Sequence, residues 1–266
     1  MRIYRRDQPL PPIPEQKMDQ QVVDTEAARP ARRFIDPCDI LFKPMLGEFL
    51  GTLFLDFFAA QLLVFATENF VMAALCTGLL RYTLMRVFED CCSGEFNPAI
   101  SIGKLFCLER SLLISLCLIS GQLFGAFIGE VLFAAVRPAT AQVFPYVFLN
   151  ETDVFVDRLP SSFQSYFLIE MINTAMFVVT YLRTEHSGCM AAVTTIAITL
   201  AYNAGLETRA TGNIAQIVAH SLTGTLWVVH SNPWRYVEAA SAATFIAPVY
   251  CSCVILASSF RQRHAK

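Results

Sequence analysis

The residues able to do chemistry in this chain are amides and carboxylates set among long apolar runs. Asn97-Pro98-Ala99 leads them, inside Ser93-Gly94-Glu95-Phe96-Asn97-Pro98-Ala99-Ile100-Ser101-Ile102-Gly103. Asn is a favoured N-cap, and Pro is favoured at the first helical position because its missing N–H has no partner there to lose. The stretch therefore predicts a helix start. That helix, Pro98 to Cys107, reaches roughly 15 Å at 1.5 Å per residue, half of a ~30 Å hydrocarbon core. A capped half-helix between two membrane spans places a positive dipole end at mid-membrane. The chemistry on offer is electrostatic.

Two carboxylates accompany it. Glu48 lies in Gly47-Glu48-Phe49-Leu50-Gly51-Thr52 and Glu170 in Ile169-Glu170-Met171-Ile172-Asn173-Thr174. Both read Glu-x-x-x-Thr within an apolar helix. A carboxylate inside a membrane is costly and by default a functional candidate. Their matched placement implies an internal repeat, inverted because each half holds an odd number of spans. The counterpart of Asn97 then falls in Thr211-Gly212-Asn213-Ile214-Ala215-Gln216. Asn213 and Ala215 keep their types, and Ile214 replaces the proline. Glu48 and Glu170 are placed to accept hydrogen bonds from the re-entrant backbone, which is tolerated at membrane depth only inside protein or along a cavity. Asp56 shares a helix face with Glu48 and Thr52, and Glu130 is a further intramembrane carboxylate. For both, a pore, a neighbouring helix and a subunit contact stay open.

The elements that must position these groups follow from composition. Of 266 residues 55% are hydrophobic and 16% charged, with a mean hydropathy of +0.47. Soluble domains carry about 25% charged residues. The chain is read as an all-α integral membrane protein, and its net charge of −2 gives no basis for nucleic-acid binding. Residues 1–43 form a proline-rich, mixed-charge tail with too little to bury, expected to be disordered. No signal peptide opens the chain, so the first span does the targeting. Spans are expected at Pro44 to Ala66, Phe70 to Phe88, Ser111 to Val136, Ser162 to Leu182, Cys189 to Ala204 and Trp234 to Ser258. The half-helix at Asn97 and the stretch Gly205 to Val229 are too short to cross. Repeat 1 covers 44–136 and repeat 2 covers 162–258 of a channel domain at 44–258, joined by a loop at 137–161, with a short tail at 259–266. Arg29, Arg32, Arg33 and Lys43 before the first span put the N-terminus in the cytoplasm. Arg81 and Arg86 then snorkel to the cytoplasmic side, and the C-terminus is cytoplasmic too. Asn150-Glu151-Thr152 is a glycosylation sequon on the outer loop. The nine cysteines lack zinc spacing. His186, His220, His230 and His264 are too scattered to argue a metal or catalytic cluster. No cofactor and no metal is expected, and no nucleophile or phosphate-loop motif supports an enzyme.

From about residue 44 to 258 the chain resembles the aquaporin (major intrinsic protein) family. The resemblance rests on the paired Glu-x-x-x-Thr starts, the intact motif at 93–99, Gln122-x-x-Gly125-Ala126 and Asn213-x-Ala215. It implies six transmembrane helices plus two re-entrant half-helices meeting at mid-membrane. It implies a pore flanked by Asn97, Pro98, Ala99 and by Asn213, Ile214, Ala215, with both amides donating to a passing water. It also implies a homotetramer in a lipid bilayer. Matching Thr208 to the family's Thr-Gly turn puts Thr77, Ala201, Ala210 and Gln216 at the selectivity filter. Gln216 stands where the family has an arginine, and Glu95 stands where a histidine is usual. The expectation is a wide, weakly electropositive filter that passes water and small neutral solutes such as glycerol, urea or ammonia. The plasma membrane is the default location and an intracellular membrane the alternative. A rival reading is a non-conducting structural or adhesive protein on the same fold.

Overall fold

The computed structural model describes residues 38–136, 163–184, 187–203, 211–227 and 234–264. Every regular element among them is helical. A single π-helical turn, Cys38–Phe42, leads into α1, Lys43–Val87. α2 is Pro98–Phe106, α3 Leu112–Val136, α4 Phe163–Arg183, α5 Gly188–Asn203, α6 Ile214–Trp227 and α7 Trp234–His264.

α1 combines two expected spans. The very short connection expected between them is a break at Asn69, whose φ of −148° and ψ of 80° are non-helical. Its side-chain oxygen accepts from the Met72 N–H at 3.1 Å. Asn69 thus ends one helix and caps the next, and no separate connector is needed. Six long helical segments result: the two arms of α1, then α3, α4, α5 and α7. Among the described residues three helices, Asp39–Leu62, Leu112–Val136 and Val237–Ser258, meet both the length and the apolarity needed to cross a membrane.

The packing is polar inside and apolar outside. Glu48, Thr52, Asp56, Asn97, Gln122, Glu130, Glu170 and Thr174 are buried, while Phe54, Leu79, Leu113, Phe124, Ile172 and Phe245 are exposed. In water that arrangement would be unfavourable; in lipid the apolar rim is solvated and the polar groups find partners within.

Small residues set the helix spacing. A Cβ on Gly121, Gly125 or Gly129 of α3 would come within 2.8, 2.3 and 2.5 Å of the carbonyl oxygens of Met45, Phe49 and Leu53. The two backbones can lie that close only because these positions lack side chains. In the second half α7 packs along α4 and buries Ala239, Ala243 and Ala247 at the same four-residue spacing.

Candidate functional site

The two short helices meet end to end. Asn97 caps α2, its side-chain oxygen accepting from the Ala99 N–H at 3.0 Å, and Asn213 caps α6 by accepting from the Ala215 N–H at 3.2 Å. Asn97 Nδ2 donates to the Gly212 carbonyl at 2.8 Å, and Asn213 Nδ2 donates to the Phe96 carbonyl at 3.0 Å. The bonds are reciprocal, each amide holding the other half's turn. A primary amide has two N–H donors, so each keeps one beyond this bond. Pro98 and Ile214 occupy the first helical positions, and Ile214 does not prevent the cap. Ala99 and Ala215 are fully buried behind the asparagines.

Both turns are tightly wound. Gly94 and Gly212 have φ of 65° and 66°, and Phe96 adopts φ of 46°. That value is unfavourable for a residue with a side chain and must be held from outside. Glu48 does so: its carboxylate accepts from the backbone N–H of Glu95 at 2.9 Å and of Phe96 at 2.7 Å, and from Gln122 Nε2 at 2.9 Å. Glu170 accepts from the Gly212 N–H at 2.9 Å. Its second oxygen has no hydrogen-bond partner among the described residues. The two halves are therefore unequally braced.

Glu95 anchors a second network behind α2. Its carboxylate pairs with Lys104 and Arg110, each at 2.8 Å, and accepts from the hydroxyls of Ser93, at 2.7 Å, and Ser101. Tyr181 donates to the Ser93 carbonyl, and Lys104 Nζ lies 5.0 Å over its ring.

Arg81 corrects the sequence expectation. It does not snorkel: it is 3% exposed, and Nη2 donates to the Glu95 carbonyl at 2.6 Å. The guanidinium stacks 5.2 Å over the Phe177 ring. Phe177 in turn is the side chain a Cβ on Gly212 would meet, at 2.9 Å. The charge thus sits beside the junction of the two half-helices, and Arg81 Nε has no partner among the described residues. Arg86, by contrast, is exposed and pairs with Glu89.

Of the filter positions, Thr77 is part-buried and its hydroxyl donates to its own helix, at the Ala73 carbonyl, 2.8 Å away. Gln216 is part-buried near the start of α6, alongside Asp56. Ala201 belongs to α5, but its side chain, together with Ala210 and Asn150, lies outside the described residues. Asp56 and Glu130, whose surroundings the sequence leaves open, come together with His220. Sequence spacing could not have found this cluster, because its members sit on three separate helices.

The major intrinsic protein family model matches residues 39–236. The chain belongs to that family, an all-α integral membrane fold. It is 32% identical to human aquaporin-5 over 109 residues, 40% of this chain and 41% of that one. It is 29% identical to the lens fiber major intrinsic protein of Oryctolagus cuniculus over 104 residues, 38% and 40% of the two chains. The lens fiber protein of Lithobates pipiens is 29% identical over 101 residues, 37% and 38%. The matched stretch spans about two fifths of each relative's length.

Proposed function

We propose that the chain is a passive channel for water and small neutral solutes, among them glycerol, urea and ammonia. The observation that carries this reading is the reciprocal Asn97–Gly212 and Asn213–Phe96 pairing. It fixes two amide donors and two helix N-termini at one point. A neutral hydroxyl or water oxygen can accept from those donors, while the positive dipole ends oppose cations. Asn97, Pro98, Ala99, Asn213, Ile214 and Ala215 form the mid-membrane region. Thr77, Ala201, Ala210 and Gln216 form the outer filter, where a glutamine amide stands in place of a fixed positive charge. Glu48 and Glu170 brace the re-entrant turns. Arg81 supplies, at the inner side of the junction, the guanidinium that the outer filter lacks.

The channel domain is residues 44–258, with cytoplasmic tails at 1–43 and 259–266, Asn150 glycosylated on the outer loop and the plasma membrane as its site. The assembly is a homotetramer with one pore per subunit. Osmotic swelling of reconstituted vesicles, run with water and glycerol in parallel, tests the reading. A channel raises water permeability with a low activation energy; a structural or adhesive protein leaves it at the lipid background, which would overturn the proposal. Gln216→Arg is expected to lower glycerol permeation relative to water. An unchanged solute profile would remove Gln216 from the pore wall.

A further inference from the structure

Asp56 on α1, Glu130 on α3 and His220 on α6 converge in the interior of the helix bundle. Each offers one ligand-type atom, and these atoms all lie within 4.8 Å of one another. The three side chains are at most 8% exposed. His220 Nδ1 sits 2.9 Å from Glu130 Oε1. That pair leaves three carboxylate oxygens over: Gln216 lies alongside Asp56 but not within hydrogen-bond geometry, and both oxygens of Asp56 and Oε2 of Glu130 have no hydrogen-bond partner among the described residues. The fold enforces the approach. A Cβ on Gly129, next to Glu130, would lie 3.2 Å from Asp56 Cβ, so α3 presses directly against the Asp56 turn.

From this geometry we propose that Asp56, Glu130 and His220 form a site for one divalent transition-metal ion of the zinc class. An imidazole nitrogen with two carboxylate oxygens is a donor set for such ions, whereas all-oxygen sets suit magnesium or calcium. Bonds of 2.0–2.2 Å around a tetrahedral ion put neighbouring ligand atoms about 3.4 Å apart. The observed spread accommodates that and leaves the fourth vertex for a water. The charge balance agrees. A doubly charged ion with two carboxylates and a neutral imidazole sums to zero, which a membrane interior favours. One ion would also satisfy Asp56 and Glu130 together, which the His220–Glu130 pair alone cannot. The site would tie α6, the half-helix that carries Asn213 and Gln216, to α1 and α3.

The experiment uses the full-length, tag-free protein in detergent, its cysteines alkylated and its metals stripped with chelator. Co²⁺ is titrated as a spectroscopic probe and then displaced by Zn²⁺. Alkylation matters because eight described cysteines are free and thiolates would compete. The expected result is one Co²⁺ per chain, with visible bands of nitrogen and oxygen ligation and no thiolate charge-transfer band. Zn²⁺ should displace it and raise the melting temperature. Asp56→Asn, which keeps the side chain's shape, should lose the bound equivalent and the Zn²⁺-dependent shift. Alkylated wild type that takes up no ion would overturn the site, as would Asp56→Asn binding as well as wild type. Should Asp56→Asn fail to fold, the wild-type spectrum decides, since an absent or thiolate-only signal excludes these ligands. None of these readouts depends on permeability, so the site and the channel reading stand or fall separately.

Discussion

Replacing Arg81 by leucine should admit cations without stopping water. The guanidinium is 3% exposed and held by the Glu95 carbonyl at 2.6 Å and the Phe177 ring at 5.2 Å. Take about 5 Å as the separation between the guanidinium and a monovalent cation crossing the junction. At an effective dielectric of ~20 the repulsion there is about 3.3 kcal/mol, roughly two orders of magnitude in cation permeability. The half-helix dipoles stay in place, so the variant loses only the arginine's share of the barrier. Stability should change little: a charge-assisted hydrogen bond goes, but so does the cost of burying the charge. The assay is paired: osmotic water permeability and K⁺ flux in the same proteoliposomes, with Arg81→Lys as the charge-retaining control. The expected outcome is water flux at or above wild type and a K⁺ flux raised well above background in the leucine variant only. A leucine variant that conducts water normally and keeps K⁺ flux at the wild-type level would refute the reasoning.

Three further substitutions test the frame around the half-helix junction. Glu48→Gln turns an acceptor of three hydrogen bonds into a group with one N–H₂ facing a donor, and should cost about 2–4 kcal/mol. Glu170→Gln keeps the Gly212 bond and should cost under about 1 kcal/mol, so thermal unfolding in detergent should rank the two clearly. Gly125→Ala drives a methyl to 2.3 Å from the Phe49 carbonyl oxygen; it should separate α3 from α1 and cost about 1–3 kcal/mol, read as a lower melting temperature and reduced folded yield.

What the sequence reveals here is local, and what it hides is long-range. The helix starts at Asn97 and Asn213 are legible because capping joins residues two apart. The long segments are legible because apolar runs carry their own signal, three of them with the full length and apolarity of a span. Even so, Asn69 reads only as a loop residue between two spans, and the cap its side chain makes on the following arm is seen in the structure. Arg81 misleads for a different reason. Its place near the end of a span suggests snorkelling, and only the tertiary approach of Glu95 and Phe177 gives it an interior partner. The Asp56–Glu130–His220 cluster carries no spacing at all, since each member comes from a different helix. Gly121, Gly125 and Gly129 are the one trace of it, because their stripe announces that α3 lies hard against another backbone.

The distribution of charge around the half-helix junction then acquires a direction. On the α2 side the carboxyls of Glu48 and Glu95 are accompanied by Arg81, Lys104 and Arg110, a surplus of one basic group. On the α6 side the carboxyls of Asp56, Glu130 and Glu170 are accompanied among the described residues by one basic side chain, His220, a deficit of two basic groups. Gln216, beside Asp56, contributes no charge to offset it. Opposite surpluses within one low-dielectric bundle act at long range because little solvent screens them. A cation approaching from the α6 side would meet an attractive region first and the Arg81 barrier after it, and would be held rather than passed. In the proposed channel a neutral solute would feel neither and would respond to the donors of Asn97 and Asn213. Neutralising the deficit with a bound divalent ion removes the well but leaves the barrier. In the proposed channel, discrimination against cations would therefore rest on Arg81 and the helix dipoles whether or not the Asp56 site is filled.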